Sequence, residues 1–330
     1  MAEEVRLVAD IGGTNARFAL CAGDGWPYAI HLERCADHAT LEDAVSAYLA
    51  RLPVRPRRAA IAAAVAVSGD RVRMTNRAWS FSVTALRARL GLEQLLVLND
   101  FTALALAVPR LRPEELRQVG GGAPTGNAPI AVIGPGTGLG VSGLIPAGGG
   151  HWIPLQSDGG HVTFGAADER QVPILRELSR RYGHVSAERL LSGPGLVNLY
   201  RALAAIEGVP AERLTPPQVS ARALAGTCPL CREALETFCA LLGTVAGNLV
   251  LTLGARGGLY IGGGIVPRLF DYFVGSPFRA SFERRGRFSA YLAAVPSYVI
   301  LAEHPALLGA SAAFDHAPDL IGAFAAADGD

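Results

Sequence analysis

Short apolar runs that end in glycine-rich or acidic turns organise the first third of the chain. Residues 5–9 form a β-type run before Asp10-Ile-Gly-Gly-Thr-Asn15, and residues 16–21 resume the apolar character. Runs at 59–67 and 95–98 predict two buried strands, the second of which ends at Asn99 and Asp100. Helical spacing covers residues 40–49, 82–90 and 101–108. The pattern therefore predicts strands that alternate with helices.

The same strand, glycine turn and strand arrangement recurs further along the chain. Residues 130–133 predict a strand that leads into Gly134-Pro-Gly-Thr-Gly-Leu-Gly140, and an apolar run follows at 141–145. Helical spacing dominates the remainder, at 168–182, 187–191, 195–206, 217–225, 229–253, 266–273 and 306–314. A strand at 258–261 reaches a third turn, Gly262-Gly-Gly-Ile265. The loop-rich residues 111–129 mark a domain boundary, and the acidic end at 325–330 is expected to fray.

The charge composition excludes several kinds of chemistry. The 30 basic residues are all arginine and balance 29 acidic residues, which leaves a net charge of +1. Without lysine there is no Walker A phosphate loop and no Schiff-base mechanism. Since no arginine-rich stripe is present, we expect neither nucleic acid nor an anionic membrane as a partner.

Cysteine usage and hydropathy indicate a reduced, cytoplasmic chain. The five cysteines are odd in number and scattered, and the N-terminus lacks the features of a signal peptide. Cys228 and Cys231 form a CxxC pair, but no second pair follows at zinc-site spacing, which favours a structural role. No uninterrupted apolar stretch predicts a membrane span.

The three glycine turns are candidate phosphate sites because glycine lets backbone N–H groups approach phosphate oxygens without a cationic side chain. Asp10 distinguishes the first turn. A carboxylate beside phosphates is repulsive unless a divalent cation lies between them, so Asp10 is a candidate Mg²⁺ partner, directly or through water. The alternative is an aspartate that caps its own turn.

Asn99 and Asp100 end a buried strand, where open α/β sheets contact ligands. Asp100 suits the role of a base that accepts a proton from an alcohol during phosphoryl transfer, although it could simply cap a helix that begins at Phe101. Asp158, His161 and Glu188 are groups that hold polyhydroxyl sugars, with structural capping as the alternative for Glu188.

The second turn also invites a dinucleotide-binding interpretation. The G-x-G-x-x-G pattern can start on Gly134 and Gly136 but finds no glycine at position 139, so the spacing fails. A nicotinamide-dependent oxidoreductase therefore stays open only as an alternative.

Taken together, the motifs resemble the bacterial glucokinase family, ATP-dependent sugar kinases of the hexokinase and actin-like ATPase superfamily. They follow the family's order over most of the chain. The matching segments are Asp10-Ile-Gly-Gly-Thr-Asn-Ala-Arg-Phe18, Met74-Thr-Asn76 with Trp79, Leu98-Asn-Asp-Phe-Thr-Ala103, Gly136-Thr-Gly-Leu-Gly-Val141, Asp158-Gly-Gly-His161, Ala187-Glu-Arg189 with Leu191-Ser-Gly-Pro-Gly-Leu-Val-Asn-Leu-Tyr200, and Gly262-Gly-Gly-Ile265.

The resemblance implies an α/β, two-domain actin-like ATPase (ribonuclease H-like) fold with duplicated mixed sheets, flanked by helices, around a central cleft. The smaller domain would span 1–110, completed by a C-terminal helix at about 303–320, and the larger would span 111–302. A homodimer is also implied.

The activity implied is phosphorylation of glucose at its 6-hydroxyl by ATP and Mg²⁺, with Asp100 as the general base. By this resemblance glucose is held by Asn99, Asp100, Asp158, His161 and Glu188. ATP is held by Asp10, Gly12, Gly13, Thr14, Asn15, Gly136, Thr137, Gly138, Gly262, Gly263 and Gly264, and Asp10 also serves the metal.

Two positions depart from the family pattern. Asp158 stands where the family usually carries glutamate, and Ala66 stands where it usually carries proline. Both departures bear on sugar preference, so a kinase for another hexose is an alternative. A sugar-sensing regulator is disfavoured because only nine residues precede Asp10, too few for a DNA-binding domain on that side.

Overall fold

The computed structural model describes residues 4–65, 69–74 and 79–316 together with the backbone of 324–327. The chain forms two compact units. Unit 1 contains residues 1–112, 142–156 and 302–330, and unit 2 contains residues 113–141 and 157–301. The predicted boundaries did not assign 142–156 to the N-terminal part. We retain the two-domain division as a proposal with that segment reassigned.

The described residues form fourteen strands and eleven α-helices, joined by short 3₁₀ turns. The strands are β1 Arg6–Ile11, β2 Asn15–Cys21, β3 Tyr28–Arg34, β4 Arg58–Ala63, β5 Arg71–Arg73, β6 Ser80–Ser82, β7 Gln94–Asn99, β8 Leu116–Val119, β9 Ile130–Pro135, β10 Leu139–Gly148, β11 His151–Pro154, β12 Leu259–Ile261, β13 Ser297–Ile300 and β14 Phe324–Ala327. The helices are α1 Leu41–Leu49, α2 Val83–Arg89, α3 Asp100–Ala107, α4 Gln171–Tyr182, α5 Gly193–Ile206, α6 Pro216–Leu224, α7 Pro229–Leu253, α8 Phe270–Val274, α9 Phe278–Glu283, α10 Ser289–Ala293 and α11 Pro305–Ala312.

Two six-stranded mixed sheets share one strand order. The first runs β14-β7-β4-β1-β2-β3 and the second runs β8-β13-β12-β9-β10-β11. In the first sheet β1, β4 and β7 are parallel, whereas β2, β3 and β14 pair antiparallel. In the second, β12 is parallel to β9 and β13, and β8 and β11 are antiparallel edge strands. The predicted duplication of mixed sheets is confirmed.

Each unit has its own hydrophobic core. In unit 1, α1 buries Tyr48 against Phe18 of β2, with their rings 5.5 Å apart, and a capping box between Thr40 and Asp43 fixes the start of the helix. In unit 2, α7 is central and ends at Gly254, whose φ of 61° closes the helix in the left-handed conformation. By length and composition α7 could span a membrane, but 61% of its apolar window is buried within the protein. Burial of this kind is typical of a core helix.

Several predicted elements differ from the structure. The loop-rich residues 111–129 contain β8, and residues 325–327, expected to fray, belong to β14, which pairs with β7. The predicted helix at 187–191 is a single 3₁₀ turn, Ala187–Arg189. Segments as short as these carry little periodicity, and β8 and β14 take their structure from pairing with β13 and β7. The family departure at Ala66 and the motif residues Thr75 and Asn76 lie outside the described residues.

Candidate functional site

The first glycine turn follows β1 directly. Asp10 is the fifth residue of β1, and the turn closes where the Gly12 N–H donates to the Asn15 carbonyl at 2.9 Å. The Cys35 N–H donates to the Thr14 carbonyl at 2.9 Å and fixes the turn from the side of β3. An added Cβ at Gly12 would lie 3.3 Å from the Asn15 carbonyl oxygen, so a larger residue would crowd the turn.

Asn99 and Asp100 lie at the end of β7 and the start of α3 in unit 1. Asn99 caps α3, since its Oδ1 accepts from the N–H groups of Phe101 and Thr102 at 2.9 and 3.1 Å. Its Nδ2 donates to the Val65 carbonyl at 3.1 Å. The capping alternative weighed for Asp100 is therefore wrong: Asn99 is the N-cap and Asp100 is the first residue of the helix.

Asp10 and Asp100 belong to the same edge of the first sheet. Asp10 pairs with Ala62 and Ala62 pairs with Leu98, so Asp100 lies two residues beyond the level of Asp10, at the carboxyl ends of the parallel strands. Burial, helped by the negative charge of Asp10, raises the pKa of Asp100 to about 6. Asp100 is thus a half-buried carboxylate whose pKa lies well above the usual range of an aspartate.

The pKa of Asp10 is also shifted from its ordinary value. Burial raises its pKa, and the guanidinium of Arg17, whose Nη1 lies 3.3 Å from Oδ2, opposes the shift. The Asp10 side chain is 21% exposed, which leaves it open to a further partner. Two carboxylates at one edge, one of them accessible, are hard oxygen donors suited to Mg²⁺. Among the described residues no three His, Cys, Asp or Glu side chains form a metal cluster. A cation held here would keep ligands from water or substrate, as Mg²⁺ normally does.

The second and third glycine turns lie together in unit 2. The second turn closes through the Gly136 N–H and the Gly138 carbonyl at 2.8 Å, and the Gly136 carbonyl accepts from Gly193 at the start of α5. Gly263 has a φ of 77°, and an added Cβ there would collide with the Pro135 carbonyl oxygen. Position 263 therefore requires glycine, because its backbone has a positive φ and because it lies too close to β9 for a side chain.

Glu188 joins the second turn to the predicted sugar loop. Its Oε2 accepts from the Leu139 N–H at 2.9 Å, and its Oε1 lies 4.0 Å from Nδ1 of His161. The Glu188 side chain is 33% exposed and that of His161 is 65% exposed, so both can reach a ligand. The capping alternative for Glu188 finds no support, because Ser186 is the N-cap of its 3₁₀ turn and the Glu188 carboxylate points to Leu139.

Asp158 is exposed at the start of the same loop, where its carbonyl accepts from the His161 N–H at 2.9 Å. The two glycines between them pack closely on β10. An added Cβ at Gly159 would lie 2.8 Å from Val141 Cγ1, and one at Gly160 would collide with the Leu139 carbonyl oxygen. The glycine pair therefore lets the loop lie against β10 and brings His161 to Glu188.

Two features of this site were missed by sequence reasoning. Arg17 pairs with Asp10 because the β1–β2 hairpin places them opposite each other, a register that the short Gly12–Thr14 turn could have indicated. His304, just before α11, acts electrostatically on Asp10, and its buried Nδ1 has no hydrogen-bond partner among the described residues. His304 lies far from Asp10 in the sequence, so no local sequence pattern predicts their interaction.

Comparisons with known proteins agree with these motifs. The family model described as Glucokinase matches residues 7–317. The glucokinase of Aromatoleum aromaticum is 56% identical over 94% of this chain and 95% of its own length, and that of Chromobacterium violaceum is 58% identical over 93% and 88%. The crystal structure of a glucokinase from an Antarctic psychrotroph superposes with a TM-score of 0.87 at 38% identity, covering 95% of this chain and 99% of its own. The fold is that of the actin-like ATPases, and the chain belongs to the glucokinase family.

Proposed function

We propose that the chain transfers the terminal phosphoryl group of ATP to the 6-hydroxyl of glucose, and that Asp100 accepts the hydroxyl proton. Phosphorylation of glucose is the activity that the names of its close relatives give. The observation that carries the assignment of the base is the half-buried Asp100 carboxylate, with its pKa raised to about 6, at the carboxyl ends of the parallel strands.

A carboxylate with this pKa suits general-base catalysis. Near pH 7 most Asp100 side chains are ionised, yet the raised pKa makes the group a stronger proton acceptor than an ordinary aspartate. The Phe101 N–H donates to Asp100 Oδ1 at 2.9 Å and helps to fix the rotamer, and a carboxylate has lone pairs beyond that bond with which to accept the substrate hydroxyl. A positioned base of this kind is the residue that phosphoryl transfer to an alcohol requires.

We propose that the sugar hydroxyls are held by Asn99, Asp158, His161 and Glu188. Asn99 donates from its amide to the Val65 carbonyl, and its side chain is also within hydrogen-bonding reach of Asp100, so it lies directly beside the proposed base. Glu188 retains lone pairs beyond the one used by Leu139, so it can accept from neighbouring hydroxyls. Asp158 is exposed and adds a further acceptor.

The nucleotide phosphates would be held by backbone N–H groups of the turns around Gly12 and Gly136, since the chain has no lysine, and the turn around Gly263 would border the adenosine. Asp10 would hold Mg²⁺, directly or through water. The cation supplies charge neutralisation on the phosphate oxygens when bound. Arg17 orients the Asp10 carboxylate through its 3.3 Å contact.

We also propose a cytoplasmic homodimer. All five cysteines are free, as expected for a reducing compartment, and unit 2 exposes large apolar side chains such as Ile206, Leu224 and Phe288. Light scattering coupled to size exclusion tests the dimer: a mass of one chain would contradict it.

The test of the function is a panel of hexoses assayed with ATP through coupled release of ADP. We expect glucose to give the highest kcat/KM, with mannose and fructose well below it. The variant Asp158→Glu, which lengthens the side chain by one methylene, serves as the probe of specificity and should change KM for glucose more than kcat. No turnover of any hexose, or preferential binding of NAD in equilibrium dialysis, would overturn the proposal.

A further inference from the structure

Two cysteines outside the proposed kinase site lie together at the start of α7. Cys228 is the N-cap of this helix and Cys231 lies in its first turn, with Pro229 and Leu230 between them. The Cys231 N–H donates to Cys228 Sγ at 3.4 Å, and the two thiols are within hydrogen-bonding reach of each other. The spacing is that at which an N-cap side chain meets the third residue of a helix.

The two thiols differ in access. Cys231 is fully buried, whereas Cys228 is partly exposed. The remaining cysteines, Cys21, Cys35 and Cys239, are buried. Cys228 is therefore the one thiol of this chain that a reagent in solution can reach directly.

The surroundings of Cys228 place positive charge near its sulfur. The N-terminus of a 25-residue helix carries partial positive charge, and the Cys231 N–H of its first turn donates to the N-cap sulfur. Arg222 of α6 lies close enough to both thiols to interact with them electrostatically, and Glu212, 2.7 Å from Arg222, offsets part of that charge. A partly exposed N-cap cysteine with a buried partner three residues later is the arrangement of a reactive CxxC pair.

We infer that Cys228 and Cys231 form a redox-active dithiol that low-molecular-weight disulfides, such as oxidised glutathione, convert reversibly into an intramolecular disulfide. Cys228 gives its proton to solvent and the thiolate attacks one sulfur of the reagent; the reagent's S–S bond breaks, and one glutathione leaves as a thiolate that takes up a proton from solvent. The Cys231 thiol then loses its proton and attacks Cys228 Sγ, releasing the second glutathione as a thiol. Two protein thiols are oxidised and one reagent disulfide is reduced to two thiols.

The second step is the slower one. Burial raises the pKa of the Cys231 thiol, and the neighbouring Cys228 raises it further. When Cys228 is held in the mixed disulfide it carries no charge, so its contribution to the shift disappears while the effect of burial stays. We expect the mixed disulfide at Cys228 to accumulate briefly before Cys231 displaces glutathione.

Peptide mapping of the native protein tests the inference. The protein is incubated with oxidised glutathione, its free thiols are alkylated under denaturing conditions, and it is cleaved with trypsin. Cleavage after Arg222 and Arg232 places both cysteines in the peptide 223–232. We expect this peptide to escape alkylation and to be about 2 Da lighter than its dithiol form, and reduction should restore alkylation.

Two variants separate the steps. Cys228→Ser keeps a good N-cap, so this variant should fold like the wild type. Its Cys231 should not react with oxidised glutathione in the native protein, because that residue is buried. Cys231→Ala should trap glutathione on Cys228. Full alkylation of both cysteines in the wild-type peptide, or reaction of the buried Cys21, Cys35 and Cys239 as fast as Cys228, would overturn the inference.

Discussion

Glu188 Oε2 accepts a hydrogen bond from the Leu139 N–H at 2.9 Å. Leu139 follows the Gly136 to Gly138 turn directly, so the carboxylate proposed to hold sugar also fixes a turn proposed to hold phosphate. In the same unit, His161 approaches the other Glu188 oxygen at 4.0 Å. The orientation of Glu188 is thus set by protein groups before any ligand binds, which is the preorganisation that a binding site needs.

A glycine pair tests this relationship. An added Cβ at Gly138 would collide with Glu188 Oε2, whereas one at Gly136 would lie 3.8 Å from the nearest atom, the Gly264 nitrogen. We expect Gly138→Ala to displace Glu188 and to weaken glucose binding roughly tenfold, the size of a lost hydrogen bond to a charged group. Calorimetry with glucose and no nucleotide measures this directly. Gly136→Ala is the matched control and should bind glucose like the wild type, so equal affinities in the two variants would contradict the assigned role of Glu188.

The pKa of Asp100 predicts a pH dependence of activity. Because the base must be ionised and burial raises its pKa to about 6, kcat/KM for glucose should be level above that pH and should fall about tenfold per pH unit below it. Steady-state rates between pH 5 and 8 give the profile. The residual activity of Asp100→Asn should lack this acidic limb, and a limb shared by both proteins would assign the titration to another group.

The raised pKa of Asp100 also predicts that the variant Asp100→Asn is more stable than the wild type. The pKa of Asp100 is raised in the folded chain from 3.8 to about 6, so ionising it costs folding free energy at pH above about 6, and this cost vanishes as the pH falls below about 4. Asp100→Asn keeps an oxygen for the Phe101 N–H and removes the charge. We expect the variant to be more stable than the wild type by up to about 3 kcal/mol at pH 8 and by little at pH 4.

Urea denaturation at the two pH values measures this difference. Asn99, which caps the same helix, provides the control: Asn99→Ala should be less stable than the wild type at both pH values by about 1 kcal/mol. If Asp100→Asn changed stability equally at pH 4 and pH 8, the raised pKa would not be its cause.

Much of the fold was predictable because its signals are local. The duplicated sheets were indicated by the repeat of strand, Gly-Thr turn and strand, now β1–β2 and β9–β10, and α7 was predicted with its observed bounds. Its apolar periodicity and the Gly254 terminus are encoded within the segment itself. Strands β8 and β14 were missed because their partners, β13 and β7, lie far along the chain.

The candidate site likewise contains residues that local motifs predict and contacts that they do not. Asp10, Asp100 and Glu188 could be singled out because each accompanies a turn or a strand end with a chemical reason to be there. The hydrogen bond from Leu139 to Glu188 and the electrostatic effect of His304 on Asp10 could not, since each joins residues distant in sequence. Composition also does not reveal how strongly burial and the charge of Asp10 raise the pKa of Asp100. That shift depends on the register of β1, β4 and β7, which brings the two carboxylates to the same edge of the sheet.

The turnover of Asp100→Asn tests whether Asp100 is the general base. Glucose affinity is measured by calorimetry, and kcat is measured with saturating ATP, Mg²⁺ and glucose in the wild type and the variant. Loss of the positioned base predicts a glucose Kd within a few-fold of the wild type and a kcat lower by about 10² or more. A variant that binds glucose normally and turns over at close to the wild-type rate would contradict the assignment of Asp100 as the general base.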